Sequence, residues 1–307
     1  MMGNRVCDLL GIRYPVFQGA MAWLADGKLA AAVSNAGGLG IIAGGNAPGE
    51  IVRQEIRIAK SLTDKPFGVN IMLLSPFRDE VINVVLQEKV AAVTTGAGNP
   101  AKYVPAFKAA GIKVIPVVPS IALAKRMEKI GADAVIAEGN EAGGHIGKLT
   151  TMVLVPQIVD SVSIPVIAAG GVADHRGVDA CFTLGAEGVQ VGTVFIVADE
   201  CKAHENYKKM VLEASDIDTT VTGRSTGHPV QVLRNKLSKK FDDLEKKGGT
   251  PEELEALGTG ALKAAVIDGD IEKGSFMSGQ IAGMVKERGT AKVILERLIA
   301  GSRFITL

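Results

Sequence analysis

Cysteine, aromatic residues and net charge are all scarce in this chain of 307 residues. The three cysteines, Cys7, Cys181 and Cys201, have neither paired nor metal-ligand spacing, which predicts reduced thiols in a cytoplasmic protein. A formal net charge of +1 gives no bulk attraction to nucleic acid or to an anionic membrane. The apolar runs are shorter than the roughly 20 residues of a membrane helix, and the first residues lack the apolar core of a signal peptide. We therefore expect no nucleic-acid partner and no membrane partner.

Glycine and short apolar runs, by contrast, are abundant. The chain has 37 glycines and is 47% hydrophobic, which favours an α/β enzyme with many tight turns. Most of the apolar runs are continuous rather than alternating, as in parallel strands that are covered on both faces. Eight such runs predict strands at residues 15–18, 40–43, 67–73, 91–96, 114–118, 134–137, 166–169 and 189–197.

Helix signals lie between the predicted strands. Ser120 and Asp174 are expected N-caps, and each of these helices ends at a later glycine. Ser75-Pro76 and Asn99-Pro100 predict two further helix starts. Strands that alternate with helices eight times indicate an α/β chain folded as a (β/α)8 TIM barrel. An open doubly wound sheet is the alternative.

The alternation stops near Asp199, so we expect residues 1–199 to form the barrel. Residues 200–273 are polar and charged, which predicts a small helical lid-like insertion after the eighth strand. Residues 274–307 are apolar again and should return to close the barrel. The basic cluster Arg234, Lys236, Lys239 and Lys240 is either a solvated helix face or a docking surface for a large acidic substrate.

The segment EAGGHIG at residues 141–147 directly follows the sixth predicted strand. Its glycines allow close approach of a ligand or a positive φ, and they leave His145 on a loop that is nearly bare of side chains. The carboxyl ends of barrel strands carry the chemistry of this fold. We therefore predict that His145 belongs to the active site.

Two further strand ends predict a phosphate site. Gly170-Gly171 follows the seventh strand, and Gly192-Thr193 lies at the eighth. Loops in these two positions commonly bind phosphate through backbone N–H groups. Together they predict a phosphate-bearing ligand.

Other chemistries lack their residues at the strand ends. A Schiff-base enzyme needs a lysine at the mouth, and a metal hydrolase needs several converging ligands. Only Glu138 and Glu141 accompany His145, so we predict no metal site. His175 and His204 are expected at the surface, whereas His228 stays open as a contact from the lid. A bound cofactor is therefore expected to carry the difficult step.

Five segments occur in order along the whole length: PVFQGAM at 15–21, EAGGH at 141–145, AGG at 169–171, QVGT at 190–193 and MSGQ at 277–280. In these segments the chain resembles an FMN-dependent family that holds nitronate monooxygenases, also called 2-nitropropane dioxygenases, and FabK-like (type II) enoyl-acyl-carrier-protein reductases. The reductase branch is favoured by HIGKLTT at 145–151, DIDT at 216–219 and GHPV at 227–230. A cysteine-dependent inosine-monophosphate dehydrogenase is disfavoured, because no cysteine follows a strand end.

The resemblance implies that FMN lies across the mouth of the barrel and that NADH or NADPH reduces it. It further implies that the insertion at 200–273 contacts NAD(P)H and the substrate. It also implies the residues that contact FMN, with Gly171, Gly192 and Thr193 at the phosphate: Ala20, Met21, Ala22, Asn70, Glu138, Ala142, Gly143, Ala169, Gly170, Gly171, Gln190, Gly192, Thr193, Met277, Ser278, Gly279 and Gln280.

Hydride addition to the β-carbon of a trans-2-enoyl thioester leaves the α-carbon in need of a proton, and His145 is the candidate donor. The alternative is that His145 only positions the flavin or the nicotinamide. A reductase of fatty-acid elongation would take its substrate from an acidic acyl carrier protein, and a homodimer is common for such barrels. The competing functions are a nitronate monooxygenase that uses FMN and O2, and a flavin-binding protein without turnover.

Overall fold

Eight parallel strands close into a barrel in the computed structural model, which describes residues 3–307. The barrel order is β1-β2-β3-β4-β5-β6-β8-β9, and β9 pairs with β1 to close it. The prediction of a (β/α)8 barrel is confirmed, and the open sheet is excluded. Strands β1 to β11 are Val16–Gln18, Leu39–Ala43, Phe67–Met72, Ala92–Gly96, Lys113–Val118, Val135–Glu138, Gly144–His145, Val166–Ala169, Gly188–Val191, Thr219–Thr222 and Val230–Leu233.

Helices surround the barrel and form most of the insertion. Helices α1 to α14 are Arg5–Leu10, Gly27–Asn35, Gly49–Leu62, Arg78–Glu88, Val104–Ala109, Ile121–Lys129, Thr151–Val159, His175–Thr183, Thr193–Ile196, Glu205–Glu213, Lys236–Lys246, Pro251–Gly258, Ala261–Lys263 and Ala291–Ile299. A π-helical turn covers Ala264–Asp268, and 3-10 turns cover Arg224–Thr226 and Gln280–Met284. Within residues 3–307 no helix combines the length and the apolarity that crossing a bilayer requires.

The helix starts were predicted with mixed success. The Ser120 and Asp174 side chains cap α6 and α8 as expected, each accepting a hydrogen bond from a first-turn N–H. Ser75-Pro76 and Asn99-Pro100 instead form turns, and α4 and α5 begin only later, at Arg78 and Val104. The reason is local: the Ser75 hydroxyl and the Asn99 amide oxygen accept hydrogen bonds from N–H groups two residues on, which closes a turn rather than a helix.

The eighth strand is shorter than the run at 189–197 predicts. Strand β9 ends at Val191, and α9 begins at Thr193 after Gly192. A continuous apolar run does not distinguish a buried strand from a buried helix, and residues 193–196 are all buried. The prediction of strand beyond Val191 was therefore wrong.

Apolar side chains fill the inside of the barrel. Phe17, Ile115 and Ile167 belong to this interior cluster, together with Val6 and Leu10 of α1. Asn4, which caps α1, also donates its side-chain N–H to the carbonyl of Glu187, just before β9. Helix α1 therefore closes the amino-terminal end of the barrel, and the opposite end is left for the site.

The insertion is not purely helical. Strands β10 and β11 form an antiparallel hairpin, and β11 also pairs with the short strand β7 to give a sheet in the order β10-β11-β7. Helices α10 to α13 lie in the same insertion. The returning segment ends in α14, which packs on α2 and α8 and so completes the outer layer next to the first strand.

Candidate functional site

A cavity of about 290 Å³ lies at the carboxyl ends of the barrel strands. Loops that follow β1, β6, β8 and β9 line it, together with the returning segment near Met277. The structure brings together His145 and most of the residues predicted for the cofactor: Ala20, Met21, Ala22, Glu138, Ala142, Gly143, Ala169, Gly170, Gly171, Gln190, Gly192, Thr193, Met277 and Gly279.

Three predicted cofactor residues do not line this cavity. Asn70 lies on β3, near the mouth of the barrel, but its side-chain amide N–H donates to the Thr94 hydroxyl at 2.9 Å. Ser278, which is part of the returning segment, is fully buried. Gln280 is exposed, and its backbone N–H donates to the carbonyl of Glu141 at 3.0 Å. These positions support neighbouring loops, and their contact with a cofactor stays a prediction.

The predicted phosphate site presents backbone N–H groups that no other group uses. Within residues 3–307, the N–H groups of Gly170, Gly171, Gly192 and Thr193 donate no hydrogen bond. Gly170 and Gly171 have φ of +93° and +78°, values that glycine adopts without strain. All four residues line the same cavity. Unpaired N–H donors on glycine-rich backbone are the chemistry that binds a phosphate dianion, so the chain fits the phosphate of FMN.

Thr193 also holds the returning segment. Its hydroxyl oxygen accepts a hydrogen bond from the N–H of Gly279 at 2.9 Å, which leaves its O–H as a donor. The N–H of Gln280 in turn donates to the carbonyl of Glu141. These two bonds join the loops after β6 and β9 through residues 277–280, so the cavity is assembled from segments far apart in sequence.

His145 is held by a strand rather than carried on a free loop. It lies in β7, where it pairs with Val230 of β11, and the next N–H, of Ile146, donates to the carbonyl of Pro229 at 3.1 Å. Strand β11 is also bonded to the returning segment: the backbone N–H of Leu233, at the end of β11, donates to the carbonyl of Phe276 at 2.8 Å. The insertion therefore fixes the backbone of His145.

The glycines before His145 serve close packing as well as ligand access. Gly144 has a φ of +80°. A side chain on Gly143 would place its Cβ 2.8 Å from the nitrogen of Gly279, a distance that carbon atoms do not tolerate. Any residue other than glycine at position 143 would push the returning segment away from the cavity.

The His145 imidazole is exposed to the cavity, yet its surroundings disfavour its charged form. Partial burial among neighbouring groups lowers its pKa from the usual value, and the nearby His228 lowers it further. The imidazole is therefore mostly neutral at pH 7 and takes up a proton only in more acidic solution.

Glu138 ends β6 inside the cavity. Burial raises the pKa of its carboxyl group to about 7, because the charged form is desolvated there. Near neutral pH this side chain is therefore protonated in a large part of the molecules, and it then offers an O–H donor to a ligand hydroxyl.

Several cavity residues were not among the predicted catalytic or cofactor-binding residues. Glu141 accepts a hydrogen bond from the N–H of Thr151 at 2.5 Å, so its carboxylate caps the start of α7. Tyr207 of α10 is fully buried, and its hydroxyl donates to the carbonyl of Met277 at 2.7 Å. Leu262 reaches the cavity from α13. Glu141 lies within the segment already singled out, whereas Tyr207 and Leu262 lie in the insertion, where no periodic signal identifies them.

The cysteines and the acidic groups offer no second chemistry. Burial raises the pKa of Cys181 to about 12 and that of Cys7 to about 11, so neither forms a thiolate at neutral pH. Across residues 3–307, no group of three or more His, Cys, Asp or Glu side chains is placed to hold a metal ion.

Comparison with known proteins gives a consistent result. The sequence profile described as nitronate monooxygenase matches residues 4–81 and 75–301. A probable nitronate monooxygenase of Staphylococcus saprophyticus is 33% identical, covering 97% of this chain and 97% of that protein. A (3aS,4S,5R,7aS)-5-hydroxy-7a-methyl-1-oxo-octahydro-1H-indene-4-carboxyl-CoA dehydrogenase of Rhodococcus jostii is 32% identical, covering 95% of this chain and 94% of that protein.

Among solved structures, FabK from Thermotoga maritima is 50% identical with a TM-score of 0.94, covering 97% of this chain and 96% of that chain. The names of the relatives, a monooxygenase and a dehydrogenase, are those of oxidoreductases. The profile match covers nearly the whole chain, and the chain belongs to the nitronate monooxygenase family of oxidoreductases.

Proposed function

We propose that this chain is an FMN-dependent enoyl-acyl-carrier-protein reductase, which uses NADH or NADPH to reduce a trans-2-enoyl thioester in fatty-acid elongation. The observation that carries the proposal is the similarity to FabK, at 50% identity over 97% of the chain. The relative from Rhodococcus jostii adds support, because its name describes that protein as acting on a carboxyl-CoA, which is a thioester.

The cavity has the groups that FMN needs. The free N–H groups of Gly170, Gly171, Gly192 and Thr193 would bind the phosphate. Small side chains at Ala20 and Ala22 would leave room for the flat ring beside Met21. When bound, FMN would supply hydride transfer from the nicotinamide to the β-carbon of the enoyl thioester.

In this proposal the imidazolium N–H of His145 donates a proton to the α-carbon of the substrate. The side chain lies in the cavity, and its backbone is fixed by β11, so it can be oriented toward a bound thioester. Because its pKa is below the usual value, the protonated form of His145 is lost at a lower pH than for an ordinary histidine. Activity should therefore be greatest on the acidic side of neutrality.

Glu138 would contact the ribityl chain. Its partly protonated carboxyl group can donate to, or accept from, a sugar-alcohol hydroxyl without leaving a full charge in a buried place.

The proposal also covers the protein partner, the cellular location and the oligomeric state of the enzyme. An acyl carrier protein is acidic, and Lys239 and Lys240 are exposed on α11, whereas Lys236 is paired with Glu272. A basic rim of this kind would speed the encounter and make it sensitive to salt. We also propose that the enzyme is cytoplasmic and forms a homodimer.

A nitronate monooxygenase is the second candidate. It is favoured by the 33% identity to the Staphylococcus saprophyticus protein of that name over 97% of the chain. The cavity alone does not separate the two reactions, since both would use FMN and His145.

Two assays on the purified FMN-loaded protein separate the candidates. The first follows NADH and NADPH oxidation on addition of crotonyl-CoA and of crotonyl-acyl-carrier-protein. The second follows oxygen uptake with a nitroalkane anion. We expect enoyl-dependent oxidation of the nicotinamide; rapid oxygen uptake without it would support the monooxygenase instead.

A further inference from the structure

A second cavity of about 330 Å³ lies on the insertion side of His145. It is enclosed by the hairpin β10–β11 and by helices α11 and α12. His145, Leu262 and Met277 line both this cavity and the one described above, so these three side chains form a shared wall. A molecule that reaches His145 from the first cavity is therefore next to the entrance of the second.

The wall of this second cavity combines apolar side chains with three small hydroxyl side chains, and the hydroxyl residues are Thr222, Thr226 and Ser275. Leu254 is buried, and Phe241 and Val230 are half-buried, each with part of its side chain facing the space. The ionisable residues that line it are His145, His228 and Glu255, and none of the described lining residues is a lysine or an arginine. A pyrophosphate would lack a cationic partner here, whereas a hydrocarbon chain would be removed from water.

We propose that the second cavity binds the alkyl chain of the acyl thioester, starting beyond the carbons that react. The inference rests on the proposed function, because it assumes a thioester substrate whose α-carbon lies at His145. From that point the chain would pass between Leu262 and Met277 and pack against Phe241 and Leu254. The volume of the cavity is at the lower end of the range for small-molecule sites, so it selects chains of limited length.

Gly258 gives a way to fill this cavity. It lies at the end of α12 with an ordinary φ, and a Cβ there would meet the tip of Phe241 at 3.3 Å. Gly258→Leu therefore puts a side chain into the space. Ala256→Leu is the matched control, because Ala256 is exposed on the same helix and does not line the cavity. Ser275→Leu fills the space from another wall and serves if Gly258→Leu does not fold.

The test measures binding and turnover separately on FMN-loaded protein. Calorimetry compares decanoyl-CoA with butyryl-CoA, which differ only in alkyl length. Each methylene that enters the cavity strengthens binding by up to about fourfold, so we expect the longer ligand to bind at least about tenfold more tightly to the wild type and to Ala256→Leu. Gly258→Leu should lose most of this difference in affinity. In turnover, the ratio of kcat/KM for decenoyl-CoA to that for crotonyl-CoA should likewise be lower in Gly258→Leu than in the wild type.

The outcomes separate the two proposals. If no enoyl thioester is reduced but the filled variant still loses the preference for decanoyl-CoA, the proposed function is wrong and the role of the cavity stands. If enoyl thioesters are reduced and the chain-length ratio is the same in all variants, the cavity proposal is wrong. If Gly258→Leu raises the KM for NADH or NADPH and leaves the preference for the longer acyl chain unchanged, the cavity binds the nicotinamide nucleotide. That result would also contradict the proposal that the cavity binds the alkyl chain.

Discussion

The barrel and the insertion contribute to the same cavity in different ways. The barrel loops present backbone N–H groups at Gly170, Gly171 and Gly192. The insertion presents side chains, Tyr207 and Leu262, and it holds the backbone of His145 through β11. Under the proposed function, the two regions divide the work: the barrel would bind the phosphate-bearing cofactor, and the insertion would position His145 for its action on the substrate.

On the barrel side, a large effect on cofactor binding is expected from a substitution at Gly171. Gly171→Val puts a β-branched residue at a φ of +78°, with its Cβ about 3.0 Å from the Glu141 carboxylate. Displacing two N–H donors from a charged phosphate should weaken FMN binding by about 100-fold or more. The measurement is the dissociation constant from quenching of FMN fluorescence. Gly131→Val is the control, because Gly131 has a similar positive φ but does not line the cavity, and this variant should keep FMN. If the wild type and both variants bind FMN with equal affinity, the barrel loops do not bind its phosphate.

Glu138, at the end of β6 in the barrel, should make the stability of the protein depend on pH. Its folded pKa of about 7 lies above that of an exposed carboxyl, so its stabilising contribution is complete below the unfolded pKa and is lost as the pH rises through about 7. The cost approaches about 3 kcal/mol above pH 7. Glu138→Gln should therefore flatten the fall in unfolding free energy of the apoprotein between pH 5 and pH 8, measured by urea denaturation. Parallel pH curves for the two proteins would contradict this account.

The smallest effect is expected from the insertion side, at His228. Removing its charge with His228→Gln should raise the pKa of His145, because the repulsion between the two rings is lost. The acidic form of His145 then persists to higher pH, so the pH at which kcat/KM falls should move upward. His175→Gln, at the start of α8 and outside the cavity, is the control. If the pH at which kcat/KM falls moves downward in His228→Gln, or moves equally in both variants, His228 does not lower the pKa of His145.

The same comparison explains how much the sequence could predict. The barrel strands have continuous apolar runs, so most of them were found from local patterns. The glycines after β8 and at the end of β9 were likewise placed at the cavity from local patterns, and their binding of phosphate stays a prediction. The pairing of His145 with Val230 joins residues far apart in the chain through a strand of two residues, which is too short for any periodicity. Tyr207 acts through one hydrogen bond to Met277 that depends on tertiary packing. Contacts of this kind have no local sequence signal.

The division of labour is tested most directly by His145→Ala, with FMN content and turnover measured on the same sample. The account predicts that the variant keeps the FMN stoichiometry of the wild type, because the phosphate donors belong to the barrel. It also predicts that enoyl-dependent oxidation of NADH or NADPH falls by about 10² to 10⁴-fold, the usual contribution of a positioned acid. Turnover within a few-fold of the wild type with FMN bound would contradict the central claim.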